Sequence, residues 1–232
     1  MLIYGKNVIK EAVFQKRKIY NLYIDEKMTD HQFIRFLKDK DIEMTYKSKG
    51  ELNSMTENAV HQGVVADVKA YEYHQLSNMF NPKVLQRFLI LDGIEDPHNL
   101  GAIMRTAEAC QFTGIILSKK QQVPLNATVA KVSSGAIEHV PIILVPNLHQ
   151  TILFLKEHNV TVVGTDGKAV AMYDEIPTKQ SVAIVLGNEG EGIRPLIKQH
   201  CNLLVKIPMH GKINSLNVSV AAALMMYQAI RE

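Results

Sequence analysis

Two residues in the segment EDPHNLGAIMRTAEA (95–109) have the makings of a reactive site: an asparagine, Asn99, at the mouth of a helix, and an arginine, Arg105, among small and apolar neighbours. Asn99 reads as an N-cap, and Leu100, Ile103, Met104 and Ala107 form the stripe that faces a core. Arg105 lies off that stripe, flanked by Ala102 and Ala109. Two accounts of it are open: a surface arginine paired with Glu108 or Glu95, or a cation directed at a ligand. A second stretch, GNEGEG (187–192), follows the apolar run VAIVL directly, where glycines let backbone approach a bound group. Its spacing is not that of a dinucleotide-binding turn, and its two carboxylates would repel a pyrophosphate. In a third stretch Asn214, Ser215, Asn217 and Ser219 crowd the start of the last helix. Caps account for one or two of them, and the rest are candidates for lining a pocket.

Elements that alternate in type must hold these residues. From residue 88 the apolar runs FLILDGI (88–94), GIILS (114–118), VPIILV (140–145), VTVVGTDG (160–167), SVAIVLGN (181–188) and NLLVKIPM (202–209) read as strands. Helical patterns fall between them at 99–111, 127–135, 147–158, 194–200 and 214–231. Continuous apolar strands alternating with helices predict an α/β fold, a mainly parallel sheet with helices on both faces. Ligands of such sheets sit at the carboxyl ends of the strands, which is where Gly, Pro, Asp, Asn and Ser gather here. Upstream, helices at 6–15 and 30–40, the latter capped by Thr29 or Asp30, alternate with strands at 19–26, 42–48 and 63–71. The polar stretch 72–87 with Asn-Pro at 81–82 breaks the pattern. The organisation expected is a small α/β domain over 1–72, a linker over 73–87 and a larger domain over 88–232. The last helix is apolar almost all round, which predicts burial or an interface.

Composition removes several classes of function. The net charge is only +3, and residues 88–232 hold 12 basic and 12 acidic side chains. Charge therefore does not announce a nucleic acid, although Lys16–Lys18 and Lys119–Lys120 are local clusters. There is no GxxxxGK[ST], HExxH or GxSxG pattern. Cys110 and Cys201 have no metal-site spacing and read as core thiols of a reducing compartment, so no metal is expected. No apolar run reaches the ~18 residues of a membrane span, and the N-terminus lacks a signal-peptide pattern. A cytoplasmic protein with no membrane partner is the expectation.

Taken together, LDGIEDPHNLGAIMRTAEACQFTGIIL, VLGNEGEGI and IPMHGKINSLNVSVAAALMMYQAI resemble, in order and separation, the three motifs of the SpoU (TrmH-like) RNA 2′-O-ribose methyltransferases of the SPOUT superfamily. The N-terminal part, with YGKNVIKEAV and HQGVVADV (61–68), resembles the substrate-binding domain of the 23S rRNA guanosine methyltransferase branch, whose fold is akin to small RNA-binding ribosomal proteins. The resemblance implies a C-terminal trefoil knot, S-adenosylmethionine (AdoMet) as cofactor, RNA, most specifically 23S rRNA, as partner, and a homodimer with its active site near the interface. By position it implies a catalytic group of Asn99, Arg105, Glu189 and Asn217. It implies a cofactor pocket formed by Thr165, Gly187, Asn188, Ile207, Met209, Ser215 and Leu216, largely through backbone groups. AAALMMY, where many members have a glycine or small pair, is a local difference expected to alter helix packing only.

The chemistry so implied is methyl transfer from a sulfonium to a ribose hydroxyl. That hydroxyl is a weak acid and a poor nucleophile, so the reaction needs in-line placement and help with the proton. Arg105 has two roles open to it. As a general base it must lose a proton of pKa above ~12. As a fixed cation it grips the neighbouring phosphate and stabilises the developing alkoxide, and this is the role the chemistry favours. Asn99 would then bind the ribose or position Arg105, and Glu189 would organise its loop. The alternatives are a tRNA or adenosine-specific 2′-O-methyltransferase, and a non-catalytic RNA-binding ribosome-assembly factor.

Overall fold

The computed structural model describes residues 1–120, 123–188 and 190–232, and these form two compact units. The first comprises residues 1–71 together with 125–139. It opens with strand β1 (Leu2–Tyr4), helix α1 (Lys6–Phe14), β2 (Ile19–Asp25), α2 (His31–Lys38), β3 (Thr45–Lys47), α3 (Lys49–Met55) and β4 (Val64–Val68). The sheet order is β1-β4-β2-β3, with β4 antiparallel to both β1 and β2, and β3 parallel to β2. Asp30 caps α2 by accepting from the Phe33 N–H, and Phe33 and Leu37 are buried beneath it. Strand β1 and helix α3 were not expected from the sequence; α3 starts on a reciprocal capping box between Ser48 and Glu51.

The second unit comprises residues 72–124 and 140–232. After α4 (Leu76–Met79) come β5 (Arg87–Asp92), α5 (Pro97–Ala109) and β6 (Gly114–Ser118). The chain then passes through the first unit as α6 (Ala127–Val132) and a 3-10 turn at Ala136–Glu138. It returns as β7 (Ile142–Val145), α7 (Leu148–Glu157), β8 (Thr161–Thr165), β9 (Ala171–Met172), β10 (Val182–Gly187), α8 (Pro195–Gln199), β11 (Leu203–Lys206) and α9 (Val218–Ala229). Seven strands form one sheet in the order β7-β6-β5-β10-β8-β11-β9, and every pairing is parallel. The expected α/β class and parallel sheet are present. The core is the apolar strand residues themselves, with Phe88, Ile90, Ile116, Val162 and Val185 fully buried.

Several boundaries differ from the sequence reading. Helix α5 begins at Pro97 and is capped by Asp96, whose carboxylate accepts from the His98 N–H. Asn99 is therefore inside the helix and is not its cap, because a proline at the first helical position moves the cap one residue upstream of it. Strand β11 stops at Lys206, two residues before Pro208, which has no N–H for a ladder. Helix α9 begins at Val218 with Asn217 as cap, so Asn214 and Ser215 lie in the preceding loop. Residues 73–87, expected as a linker, carry α4 and a bridge in which His74 pairs with Ile143.

The segment 125–139 is fastened within the first unit by an ion pair. Arg17 Nη1 lies 2.7 and 2.8 Å from the two carboxylate oxygens of Glu138, with only 10% and 5% of the two side chains exposed. The guanidinium sits over the ring of Tyr71, whose hydroxyl donates to the same carboxylate. Burial pushes the Tyr71 hydroxyl pKa up, beyond any physiological range. A buried carboxylate is tolerable only with such partners.

Candidate functional site

Strands β5 and β10 are in register to their ends, with Asp92 beside Gly187. That register puts the turn after β5 against the turn after β10, and the site grows from there. Asp92 is 2% exposed. Its oxygens accept from the Arg194 backbone N–H at 3.0 Å and from Nε at 2.8 Å, and Nη2 lies 2.7 Å away. The pair closes the loop that follows Gly187. Inside that loop the Asn188 side-chain oxygen accepts from the N–H groups of Gly190 and Glu191, and the Gly192 N–H donates to the Asn188 carbonyl. A Cβ on Gly187 would lie 1.9 Å from the Gly192 carbonyl carbon, so only glycine allows the loop to fold back on its own strand.

Asn99, on the first turns of α5, is 7% exposed, and its side-chain oxygen accepts from Asn217 Nδ2 at 2.9 Å. Asn217 uses its own oxygen to cap α9 at the Ser219 N–H. One asparagine thus ties the entry of α9 to the entry of α5. Next to them is a cleft of about 320 Å³ lined by Gly93, Ile94, Glu95, Asp96, Asn99, Asn188 and Gly190. Thr165, at the end of β8, donates to the Val185 carbonyl at 3.3 Å. Ile207 is half-buried, while Met209, Ser215 and Leu216 are exposed on the loop between β11 and α9. Among the described residues no hydrogen bond is made by residues 207–216, so this loop offers free peptide groups beside apolar side chains.

The structure therefore brings Asn99, Asn188 and Asn217 together around the Gly187 turn. Arg105 is not among them. It is exposed on α5, six residues beyond Asn99, roughly 9 Å along the axis and about a third of a turn round. Among the described residues neither Glu95 nor Glu108 forms an ion pair with it. Glu189 lies outside the described residues. The sequence reading missed the Asp92–Arg194 pair. A carboxylate ending the apolar run FLILD was the signal, because a buried charge demands a partner. Arg194→Met, which strands Asp92, is expected to cost ~3 kcal/mol of stability. Asp92→Asn should cost less, since Arg194 is then left half in water; urea unfolding of both variants checks the order.

Cys110 is buried and Cys201 partly so; both are free, and burial raises each thiol to about 11, leaving little thiolate at neutral pH. Among the described residues no group of three or more His, Cys, Asp or Glu side chains could hold a metal ion, and no helix is long and apolar enough to cross a membrane.

Comparison with known proteins gives this geometry a family. Residues 86–227 match the SpoU rRNA Methylase family, and residues 2–74 match the RNA 2′-O ribose methyltransferase substrate binding family. The chain is 43% identical over 237 residues to a protein of Bacillus subtilis (strain 168) named as a TrmH family tRNA/rRNA methyltransferase, YacO, covering 99% of this chain and 95% of that one. The SpoU methyltransferase AviRb from Streptomyces viridochromogenes, solved in complex with AdoMet, superposes with a TM-score of 0.84, covering 99% of this chain and 89% of that one. At 22% identity that likeness is one of fold. An AdoMet-bound rRNA methyltransferase from Sinorhizobium meliloti superposes with a TM-score of 0.81 at 25% identity, over 98% of this chain and 85% of that one. Motifs, sheet and both matched regions agree, and the chain belongs to the SpoU rRNA methylase family.

Proposed function

We propose that this protein transfers the methyl group of AdoMet to a ribose 2′-hydroxyl of RNA, that of a guanosine in 23S rRNA, in the cytoplasm. The observation that carries the reading is the meeting of the Asn99–Asn217 pair with the Gly187–Gly192 turn at the carboxyl ends of β5 and β10. The residues present fit AdoMet: the turn that Gly187 allows to fold back carries Asn188 and Gly190 to the wall of the cleft, and among the described residues, 207–216 make no hydrogen bond and set open peptide groups beside the apolar Ile207, Met209 and Leu216. Thr165, Asn188 and Ser215 complete the pocket in this assignment. When bound, AdoMet supplies an electrophilic methyl group, and everything else falls to the chain.

Asn99 and Asn217 hold the ribose, their amides fixed against one another so that little ordering is needed when RNA arrives. Glu189 organises the loop after β10. Arg105 grips the neighbouring phosphate and stabilises the alkoxide as the hydroxyl proton passes to solvent water. In this reading a homodimer forms through α9, whose inner face is buried while Val220, Leu224 and Tyr227 form an exposed apolar row on the other side. That pairing gives Arg105, which stands outside the cleft of its own chain, a second copy to act on. Residues 1–72 bind the RNA, with 125–139 folded among them, 73–87 link, and the remainder of 88–232 carries the chemistry, together with the trefoil knot that the family resemblance implies. The two matched families support this division.

The test incubates the protein with labelled AdoMet and, separately, unmodified 23S rRNA and tRNA, then maps ribose methylation by resistance to alkaline cleavage. One methylated guanosine in 23S rRNA is the expected result. Labelling of tRNA alone, or of an adenosine, overturns the substrate assignment. AdoMet binding with no transfer to either RNA overturns the enzymatic reading in favour of an assembly factor.

A further inference from the structure

The first unit contains a cleft of about 500 Å³, lined by both polar and apolar groups, that holds none of the residues assigned to methyl transfer. Its walls are the start of α1, the turn after β2, helix α3 and the loop 57–63. That loop is built under strain: Glu57, Asn58 and Gln62 all hold left-handed backbone, with φ of 52°, 63° and 57°. His61, buried at 5% exposure, pins it. The Gly63 N–H donates to His61 Nδ1 at 3.0 Å, which leaves Nε2–H to donate to Asn53 Oδ1 at 2.8 Å. Burial lowers the His61 pKa, so the imidazole is kept neutral as a strut. Strain that the surroundings over-determine in this way keeps a loop preorganised.

Charge around the cleft is uneven. Lys6 is paired with Asp30, which also caps α2. Asp25 accepts from the Lys27 backbone N–H. Among the described residues, Lys27 and Lys49 on the cleft wall have no carboxylate partner, and neither has Lys131. Lys131 is partly buried, and its Nζ lies 2.9 Å from the Gln62 side-chain oxygen, with only that neutral acceptor. Desolvation lowers its pKa, the mark of an ammonium short of an anion. Gly5 makes room for it: at φ +98°, a Cβ there would stand 2.5 Å from Lys131 Nζ. On the rim, Val60 is 74% exposed.

We propose that this cleft binds one unpaired nucleotide of the substrate RNA, its phosphodiester held among Lys27, Lys49 and Lys131 and its base laid against Val60 with the Asn58 amide at its edge. The inference rests on the RNA-substrate reading above. Two lysines on the cleft wall, Lys27 and Lys49, with Lys131 behind the wall residue Gln62 and an apolar rim at Val60, suit a strand whose phosphates flank a splayed base better than a small free anion. The subsite is also composite: Lys27 and Lys49 fall in the matched region 2–74, and Lys131 in the region 86–227.

The test measures binding of unmodified 23S rRNA and of a short unstructured oligoribonucleotide to the full-length protein over a range of KCl concentrations. Lys27→Gln/Lys49→Gln and Lys131→Gln are compared with Lys38→Gln, an exposed lysine outside the cleft. The double variant is expected to bind about tenfold more weakly at physiological salt, with a salt slope shallower by about 1.4 for two lost phosphate contacts. Melting temperature and AdoMet affinity should stay as in the wild type. Unchanged RNA affinity in both cleft variants overturns the subsite alone. Binding of AMP or inorganic phosphate as tight as the oligoribonucleotide overturns it in favour of a small-anion site. A wild-type protein that binds AdoMet but neither RNA overturns the substrate reading and the subsite with it.

Discussion

Arg105→Lys is expected to lower the rate of methyl transfer by about a hundredfold or more while RNA affinity changes by less than about threefold, the range set by removing one oriented donor from a developing oxyanion. Lysine keeps the charge, and with it the phosphate attraction that dominates affinity. It loses the rigid fork by which a guanidinium holds a phosphate and an alkoxide at once. Single-turnover methylation at saturating RNA, with binding measured separately, resolves the two effects. Among the described residues neither Glu95 nor Glu108 is ion-paired with Arg105, whose side chain is exposed, so the rate of the lysine variant decides between a plain surface arginine and a cation directed at a ligand. A lysine variant that turns over at the wild-type rate would show that Arg105 has no part in the reaction.

Gly187→Ala is the second large effect. The added methyl would overlap three backbone atoms, the Gly192 carbonyl carbon at 1.9 Å, its oxygen at 2.1 Å and the Ile193 nitrogen at 2.2 Å. Backbone cannot step aside as a flexible side chain does, so the turn must open, and Asn188 loses its hold on Gly190 and Glu191. AdoMet affinity is expected to fall by at least about a hundredfold, or ~2.7 kcal/mol, measured by calorimetry. Gly50→Ala, where a Cβ finds only Ser48 Oγ at 4.0 Å, serves as the control and should bind AdoMet as the wild type does. Equal affinity in Gly187→Ala would mean that this turn does not line the cofactor pocket.

What could be read from the chain in advance depended on how local the determining physics was. The parallel sheet was legible because FLIL, GIIL and VAIVL are apolar on both faces, a pattern that only burial between two layers permits. The stripe of α5 was legible for the same reason, and Leu100, Ile103, Met104 and Ala107 are all buried. The cap of α5 was misread although Asp96-Pro97 carried its own signature. Helix α3 was hidden by Gly50 and a short, weakly patterned run, yet Ser48 and Glu51 announced it. Strand β1 has three residues, too few for any period to show. The Asp92–Arg194 pair joins positions 102 apart, and no window along the sequence contains both. The Asn99–Asn217 bond spans 118 residues, and the family motifs, not periodicity, put those two in one site.

The excursion of the chain through the first unit between β6 and β7 bears on how such proteins can be recombined. A graft that moves residues 1–74 alone into a relative would carry Arg17 and Tyr71 without Glu138, and Gln62 without Lys131. The donor stretch would arrive with a guanidinium and a phenol facing whatever the recipient supplies at those places. A working chimera must exchange 125–139 along with the N-terminal module, so the smallest portable piece of this protein is discontinuous.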